Sequence, residues 1–246
     1  MRRVGIMINE IAFSNFPVLF KRCGLDFYII DGEHGAFDYR EFYHMICAAR
    51  IVGGIETIVR LPSNQRKDII KLLDMGADSL LLPMTNEAED IAQVVRYAKY
   101  SPVGERGIST MRAHTLYDPP PLTEYMKAAN ARTQVYAQIE TVAGVEHIDE
   151  ILAVEGVAGF FMGPNDLSDD YGCPGNKAAS EILRAIDRTA ASAARAGKTC
   201  GIITENATYL QRAREAGMTM YSCGSELSLL AAGLRRTVAG IKGNTC

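Results

Sequence analysis

The residues best suited to chemistry stand where apolar runs end. In FYIIDGEH, Phe27 to His34, a strand-like run delivers Asp31, Glu33 and His34 within four residues. ETIVRLP ends a second run on Arg60, QIET carries Gln138 and Glu140, and GFFMGPNDLS runs into Asn165 and Asp166. Gln138 and Glu140 are two residues apart, so on a strand they share one face. A buried, unpaired carboxylate is costly, and Glu140 among apolar neighbours therefore asks for a partner. Glu140 and Asp166, with only oxygen and amide groups nearby, suit a hard divalent ion such as Mg2+ or Mn2+.

Read together, a metal, a cation and a histidine fit stabilisation of an enolate. The metal would chelate a 2-oxo acid through its carboxylate and carbonyl, as a Lewis acid. Arg60 would face the carbonyl oxygen on which charge develops. His34, directly or through a metal-bound water, would move protons near neutral pH. Asp31 and Glu33 are expected to orient metal-bound waters or the histidine. No lysine stands at a matching strand end, which disfavours Schiff-base chemistry. Each group also has a plainer reading: His34 or Asp166 as a helix cap, Arg60 as half of a surface ion pair.

Groups so spread in sequence need a scaffold that gathers strand ends. Eight candidate strands supply it: Val4–Asn9, Phe27–Asp31, Glu56–Arg60, Ser79–Pro83, Gln134–Glu140, Ala158–Met162, Thr199–Thr204 and Met218–Ser222. Amphipathic helical patterns begin at Asp38, Arg66, Asn86, Val145, Ala179, Asn206 and Leu227. Gly24, Gly76, Gly156, Gly197 and Gly217 precede strands, as left-handed helix caps do. Strand and helix alternating eight times predict a (β/α)8 TIM barrel, a single domain over 1–246, with active groups on the C-terminal ends of the strands. No glycine-rich phosphate loop follows the first strand. Ser101 to Pro121 is a long loop of the kind that is usually functional.

The 246 residues match a barrel of roughly 250. With 26 Lys+Arg against 29 Asp+Glu and no basic tract, nucleic acid is not the expected partner. No apolar run reaches the ~18 residues of a membrane span, and the run in MRRVGIMINE is too short for a signal-peptide core. Six scattered cysteines (Cys23, Cys47, Cys173, Cys200, Cys223, Cys246) suit reduced packing thiols and a cytoplasmic setting.

The motifs IIDGEH, VRLP, LLDMGADSLLLPM, GERG, QIET and GPNDLS, in this order, resemble the HpcH/HpaI family of metal-dependent class II pyruvate aldolases. The resemblance implies a phosphoenolpyruvate/pyruvate-type barrel that assembles as a hexamer, a trimer of dimers, often with the last helix swapped. It implies a divalent metal (Mg2+, Mn2+ or Co2+) on Glu140 and Asp166, proton transfer by His34 and enolate stabilisation by Arg60. Gln138 would hold substrate or metal waters. The turn Gly163–Pro164–Asn165 and the amides around Asn165 and Asp166 would take the pyruvate carboxylate. Asp74, in LLDMG, matches an acid that pairs with the histidine across a subunit contact; its plainer reading is a surface acid ending a helix.

The expected reaction is cleavage or formation of a 4-hydroxy-2-oxo acid from pyruvate and an aldehyde. The chain departs from the family pattern at Met7, where many members have tryptophan, and after GERG, where Arg112 and His114 could form a pocket for a second carboxylate. The family also includes a siderophore citrate synthase and a fungal decarboxylase/cyclase, so a different electrophile is an alternative. A non-catalytic binding barrel is the reading of another class.

Overall fold

The computed structural model describes residues 1–243, and Cys246 lies outside them. Eight strands form the barrel: β1 (Arg3–Ile8), β2 (Phe27–Asp31), β3 (Glu56–Arg60), β4 (Ser79–Leu82), β5 (Gln134–Ile139), β6 (Gly159–Met162), β7 (Thr199–Ile203) and β8 (Met220–Ser225). Each pairs in parallel with the next, and β8 closes on β1. Between and after them run α1 (Phe16–Arg22), α2 (Tyr39–Val52), α3 (Arg66–Met75), α4 (Ala88–Ala98), α5 (Leu122–Arg132) and α6 (Val142–Glu146). The remainder are α7 (Ile148–Ala153), α8 (Pro164–Asp170), α9 (Ser180–Ala196), α10 (Ala207–Glu215) and α11 (Glu226–Lys242). The (β/α)8 barrel expected from the alternation is the one observed.

Local chemistry explains most boundaries. Asp38 caps α2 by accepting the N–H of Arg40 and Glu41, and Glu41 reaches back to complete a capping box. That cap removes His34 from consideration as the helix cap. All five glycines expected to end helices have positive φ, from 64° at Gly197 to 108° at Gly76. The helix expected from Val145 is broken in two at His147, and α1, α5 and α8 lie where no helical pattern was legible.

Strand alternation divides the apolar residues into two cores. One face of each strand packs outward on the helices: Ile30, Val59, Leu80, Ala137, Phe160 and Ile202 belong to that layer. The other face fills the barrel with Met7, Phe27, Ile29, Ile58, Leu81, Tyr136, Phe161 and Met220. At the closed end, the Arg3 guanidinium pairs with Glu56 and lies 5.6 Å from the Phe27 ring centroid. The interior is therefore packed solid below and chemical only at the top.

The long loop lies far from the mouth. It follows α4, at the end of the barrel opposite the strand C-termini, and folds over α2 and α3. A turn of 3-10 helix, Ala113–Thr115, packs on both of those helices. No helix among the described residues is long and apolar enough to cross a membrane.

Candidate active site

Register brings the first groups together. β2 and β3 pair with Asp31 opposite Arg60, the last residue of each strand. Phe27, Ile29 and Asp31 point to the interior, as do Ile58 and Arg60, so acid and base cap the inner core at the mouth. Arg60 Nε donates to Asp31 Oδ1 at 2.9 Å and Nη2 to Oδ2 at 2.7 Å. Its Nη1 lies 3.0 Å from Glu33 Oε2. Asp31 Oδ1 also accepts the N–H of Glu33 and of His34, at 3.0 and 3.2 Å.

Burial raises the Asp31 carboxyl, but the Arg60 guanidinium and the two N–H groups outweigh it and hold it below the ordinary carboxylate range. Both carboxylates contact the guanidinium, a partner the sequence did not assign them. They orient the arginine, because strand pairing puts the guanidinium beside them. His34 itself is exposed, its side chain 72% accessible and its Nε2 3.9 Å from Glu33 Oε2.

Three strands away, Tyr136, Gln138 and Glu140 share the inward face of β5 and the residue after it. Glu140 is only 2% exposed. Its Oε1 accepts the Met84 N–H at 2.7 Å, and its Oε2 accepts from Gln138 Nε2. Met84 has φ of 48°, in the left-handed region that a bulky residue rarely enters. The conformation turns its N–H onto the carboxylate, a local strain beside the mouth. Burial pushes the Glu140 carboxyl up to about 6. The bonds from Met84 and Gln138 oppose the rise, and the negative charges of Glu33 and Asp166 add to it.

Gly163 follows β6 because nothing larger fits: a Cβ there would meet Glu140 Oε2 at 2.7 Å and Gln138 Nε2 at 3.2 Å. Pro164 then opens α8, with Gly163 at the cap position and no side-chain cap. Asp166 is thus not an N-cap. Its carboxylate is exposed at the mouth, and Asn165 beside it is exposed as well.

The mouth fits a divalent cation by its chemistry. Glu140 is buried yet pressed by two further carboxylates, and the buried Gln138 Oε1 has no hydrogen-bond partner among the described residues. No group of three or more His, Cys, Asp or Glu converges as a metal cage among the described residues. Two carboxylates with the remaining positions left to water and substrate oxygens is the pattern that Mg2+ favours.

Asp74, Arg112 and His114 are not at this chain's mouth. Asp74 ends α3, on the far side from His34, and accepts from Arg106 Nη2 at 2.9 Å. His114 Nδ1 lies 3.1 Å from the Asp74 carbonyl oxygen, and burial pushes its imidazole below the ordinary value. Arg112 donates to Ser109 and lines a cavity of about 380 Å3 with Tyr43, Lys71 and Asp74 on the outer face. The pocket for a second carboxylate expected of Arg112 and His114 is therefore corrected. His114 is sealed, and the loop that carries both packs outside the barrel.

Two residues at the mouth carried no sequence signal. Glu226, the first residue of α11, is buried, and its Oε1 accepts the N–H of Asn9, Glu10 and Ile11 at 2.9, 2.7 and 3.1 Å. Asn9 lines a cavity of about 210 Å3 between the ends of β1, β7 and β8. A cavity of about 690 Å3 continues past Asn165 and Glu205 toward Lys177. Another, of about 710 Å3, lies between α9 and α10, where Arg212 pairs with Asp187 and Glu215.

The family model described as HpcH/HpaI aldolase/citrate lyase matches residues 18–232. The chain is 35% identical over 218 residues to a hydroxypyruvate/pyruvate aldolase of Roseovarius nubinhibens, covering 88% of this chain and 83% of that one. It is 31% identical over 219 residues to a 5-keto-4-deoxy-D-glucarate aldolase of Citrobacter koseri, covering 89% and 84%. The crystal structure of an HpcH/HpaI aldolase from Desulfitobacterium hafniense DCB-2 superposes with a TM-score of 0.93 at 32% identity, over 99% of this chain and 94% of that one.

Proposed function

The chain belongs to the HpcH/HpaI aldolase/citrate lyase family, and from that premise we propose a divalent-metal-dependent aldolase that cleaves, or forms, a 4-hydroxy-2-oxo acid. The products of cleavage are pyruvate and an aldehyde. The observation that carries this reading is the meeting of an immobilised Arg60 and a crowded, buried Glu140 across one barrel mouth.

Glu140 and Asp166 would hold the ion. When bound, it polarises the carbonyl of the 2-oxo acid as a Lewis acid. Arg60 faces the same mouth with two of its nitrogens pinned by Asp31 and a third by Glu33. N–H groups remain on both Nη atoms to meet the oxygen on which negative charge collects as the C3–C4 bond breaks. Being fixed beforehand, the guanidinium needs no reorganisation at that moment. His34, accessible beside Glu33, takes the proton from the 4-hydroxyl, and the bonding pair passes to the pyruvate fragment. Gln138 orients the Glu140 carboxylate, and Gly163 keeps the space above it clear.

Assembly belongs to the same reading. Leu229, Leu230, Leu234, Val238 and Ile241 are exposed along α11, which supports burial of that helix against another copy. Asp74, distant from its own His34, supports a role toward a neighbouring chain's histidine in a hexamer. The cysteines Cys23, Cys47, Cys173, Cys200 and Cys223 are unpaired thiols, which supports a cytoplasmic enzyme.

The test is pyruvate release from a 4-hydroxy-2-oxo acid after chelation. Activity is expected to vanish and to return with Mg2+, Mn2+ or Co2+. The His34→Ala protein is expected to fold and to lose the aldol reaction. A fully active chelated enzyme would overturn the reading.

A further inference from the structure

The aldolase reading leaves open what kind of aldehyde the mouth accepts, and the 210 Å3 cavity bears on that question. Met7 and Ile203 supply its apolar side, Asn9, Asn165 and Ser225 its polar side, and Glu205 its one charge. Its volume suits a fragment of two or three carbons. No cationic side chain lines it.

Two of these groups are free to act on a ligand. The Ser225 oxygen is already engaged, accepting the Ser228 N–H as the cap of α11. Asn9 is different: its Oδ1 is buried and has no hydrogen-bond partner among the described residues. Such an orphan is costly unless a ligand or water completes it. Glu205 stands at the rim with its Oε1 3.0 Å from where a Cβ on Gly224 would lie, and Gly224 has φ of 92°. That glycine makes room for the carboxylate.

Asn9 is also held in place. The Glu226 carboxylate gathers three successive N–H groups starting at Asn9, and the Asn9 carbonyl accepts the Ala36 N–H at 3.2 Å. The loop after β1 is thereby tied to α11 on one side and to the His34 loop on the other. The backbone that carries the Asn9 side chain is thus fixed, which limits where its amide can reach.

We propose that this cavity receives the tail of the aldehyde, and that Asn9 and Glu205 select a short, uncharged hydroxyaldehyde over one carrying a carboxylate. A hydroxyl has one hydrogen to donate, to the Asn9 Oδ1 or to the Glu205 carboxylate, and its oxygen can still accept from an amide N–H. A carboxylate in the same place only accepts, and it meets Glu205 charge against charge in a confined space with no cation to offset it. Lys177 lines the adjoining cavity and not this one.

The proposal rests on the aldolase reading, and the experiment separates the two. Wild-type enzyme with Mn2+ is first tested for exchange of pyruvate methyl protons in deuterated water, which requires no aldehyde. Its kcat/KM is then measured for glycolaldehyde and for glyoxylate, which differ in hydroxyl against carboxylate. Glycolaldehyde is expected to lead by on the order of tenfold or more. Asn9→Leu is expected to raise the KM for glycolaldehyde more than it lowers kcat, and Glu205→Gln to narrow the gap by improving glyoxylate.

Absence of exchange would remove the aldolase reading itself. Exchange together with equal or better use of glyoxylate, or of the longer succinic semialdehyde, overturns this proposal alone. An unchanged preference in both variants overturns it as well.

Discussion

Arg60 and Arg106 are buried to nearly the same degree, 7% and 6% exposed, and each is paired with an aspartate. Their surroundings make them opposites. Arg60, the last residue of its strand, is shared between Asp31 and Glu33. Arg106 reaches Asp74 with one nitrogen, stacks 4.8 Å from the Tyr100 centroid, and leaves its Nε buried without a partner among the described residues. On the proposed aldolase reading, the first arginine is held so that substrate can bind it. The second is the pin that keeps the loop of residues 101–121 on α3. Pairing and burial alone do not separate the two; what separates them is that Arg60 ends a strand at the barrel mouth.

The largest effect is expected from Arg60. Arg60→Leu should lower kcat by on the order of 10^2–10^3-fold, the usual cost of losing one charge-stabilising donor group. Arg60→Lys should recover little, because an ammonium cannot bind Asp31 bidentately and face substrate at once. Steady-state rates with circular dichroism as a fold control decide this. A lysine variant near wild-type would erase the distinction between the two arginines.

Arg106→Met should act on stability. Loss of a charged hydrogen bond and of the stacking on Tyr100 should destabilise by roughly 2–3 kcal/mol. In a chain of this size that lowers the melting temperature by roughly 4–12 °C. Calorimetry at fixed protein concentration measures it, and an unaltered melting temperature would show that the loop is held by other contacts.

The smallest effect is a change of slope. The Asp31 carboxyl is held below its ordinary range in the folded protein. Its pairing with Arg60 therefore contributes fully above the unfolded value of about 4, and the contribution is lost as pH falls through the folded value. Asp31→Asn removes that component. Denaturant midpoints measured from about pH 5 to pH 2 should decline less steeply in the variant than in wild type. Parallel slopes would mean that the pair contributes nothing to acid stability.

Much of this was legible in the chain, for physical reasons. Strands β2 and β3 begin and end on the residues read from the sequence, because β-branched and aromatic runs stop at charged groups that only a mouth accommodates. Glu140 was visible as a carboxylate out of place. The partner of Asp31 was not, since Arg60 is 29 positions away and only strand register shows that the two face each other. Glu226 gave no signal, since acids are common where a helix begins. The left-handed Met84 has no signature in residue type. Arg112 and His114 read as pocket residues from their types alone, although a loop that follows a helix and leads to a strand lies opposite the mouth.

The alternation that builds the inner core also governs how such a chain can drift. Substitutions within β2 or β5 act one side chain at a time, but deletion of a single residue exchanges the two faces for the rest of the strand. In β2 such a deletion would bring Ile30 into the mouth and turn Asp31 toward the helices, removing the anchor of Arg60 while placing a charge in the outer core. Length changes in these strands should therefore be lost from descendants far more often than substitutions at the same positions. The outer loop after α4, which sets no strand register, is where insertions and deletions can accumulate.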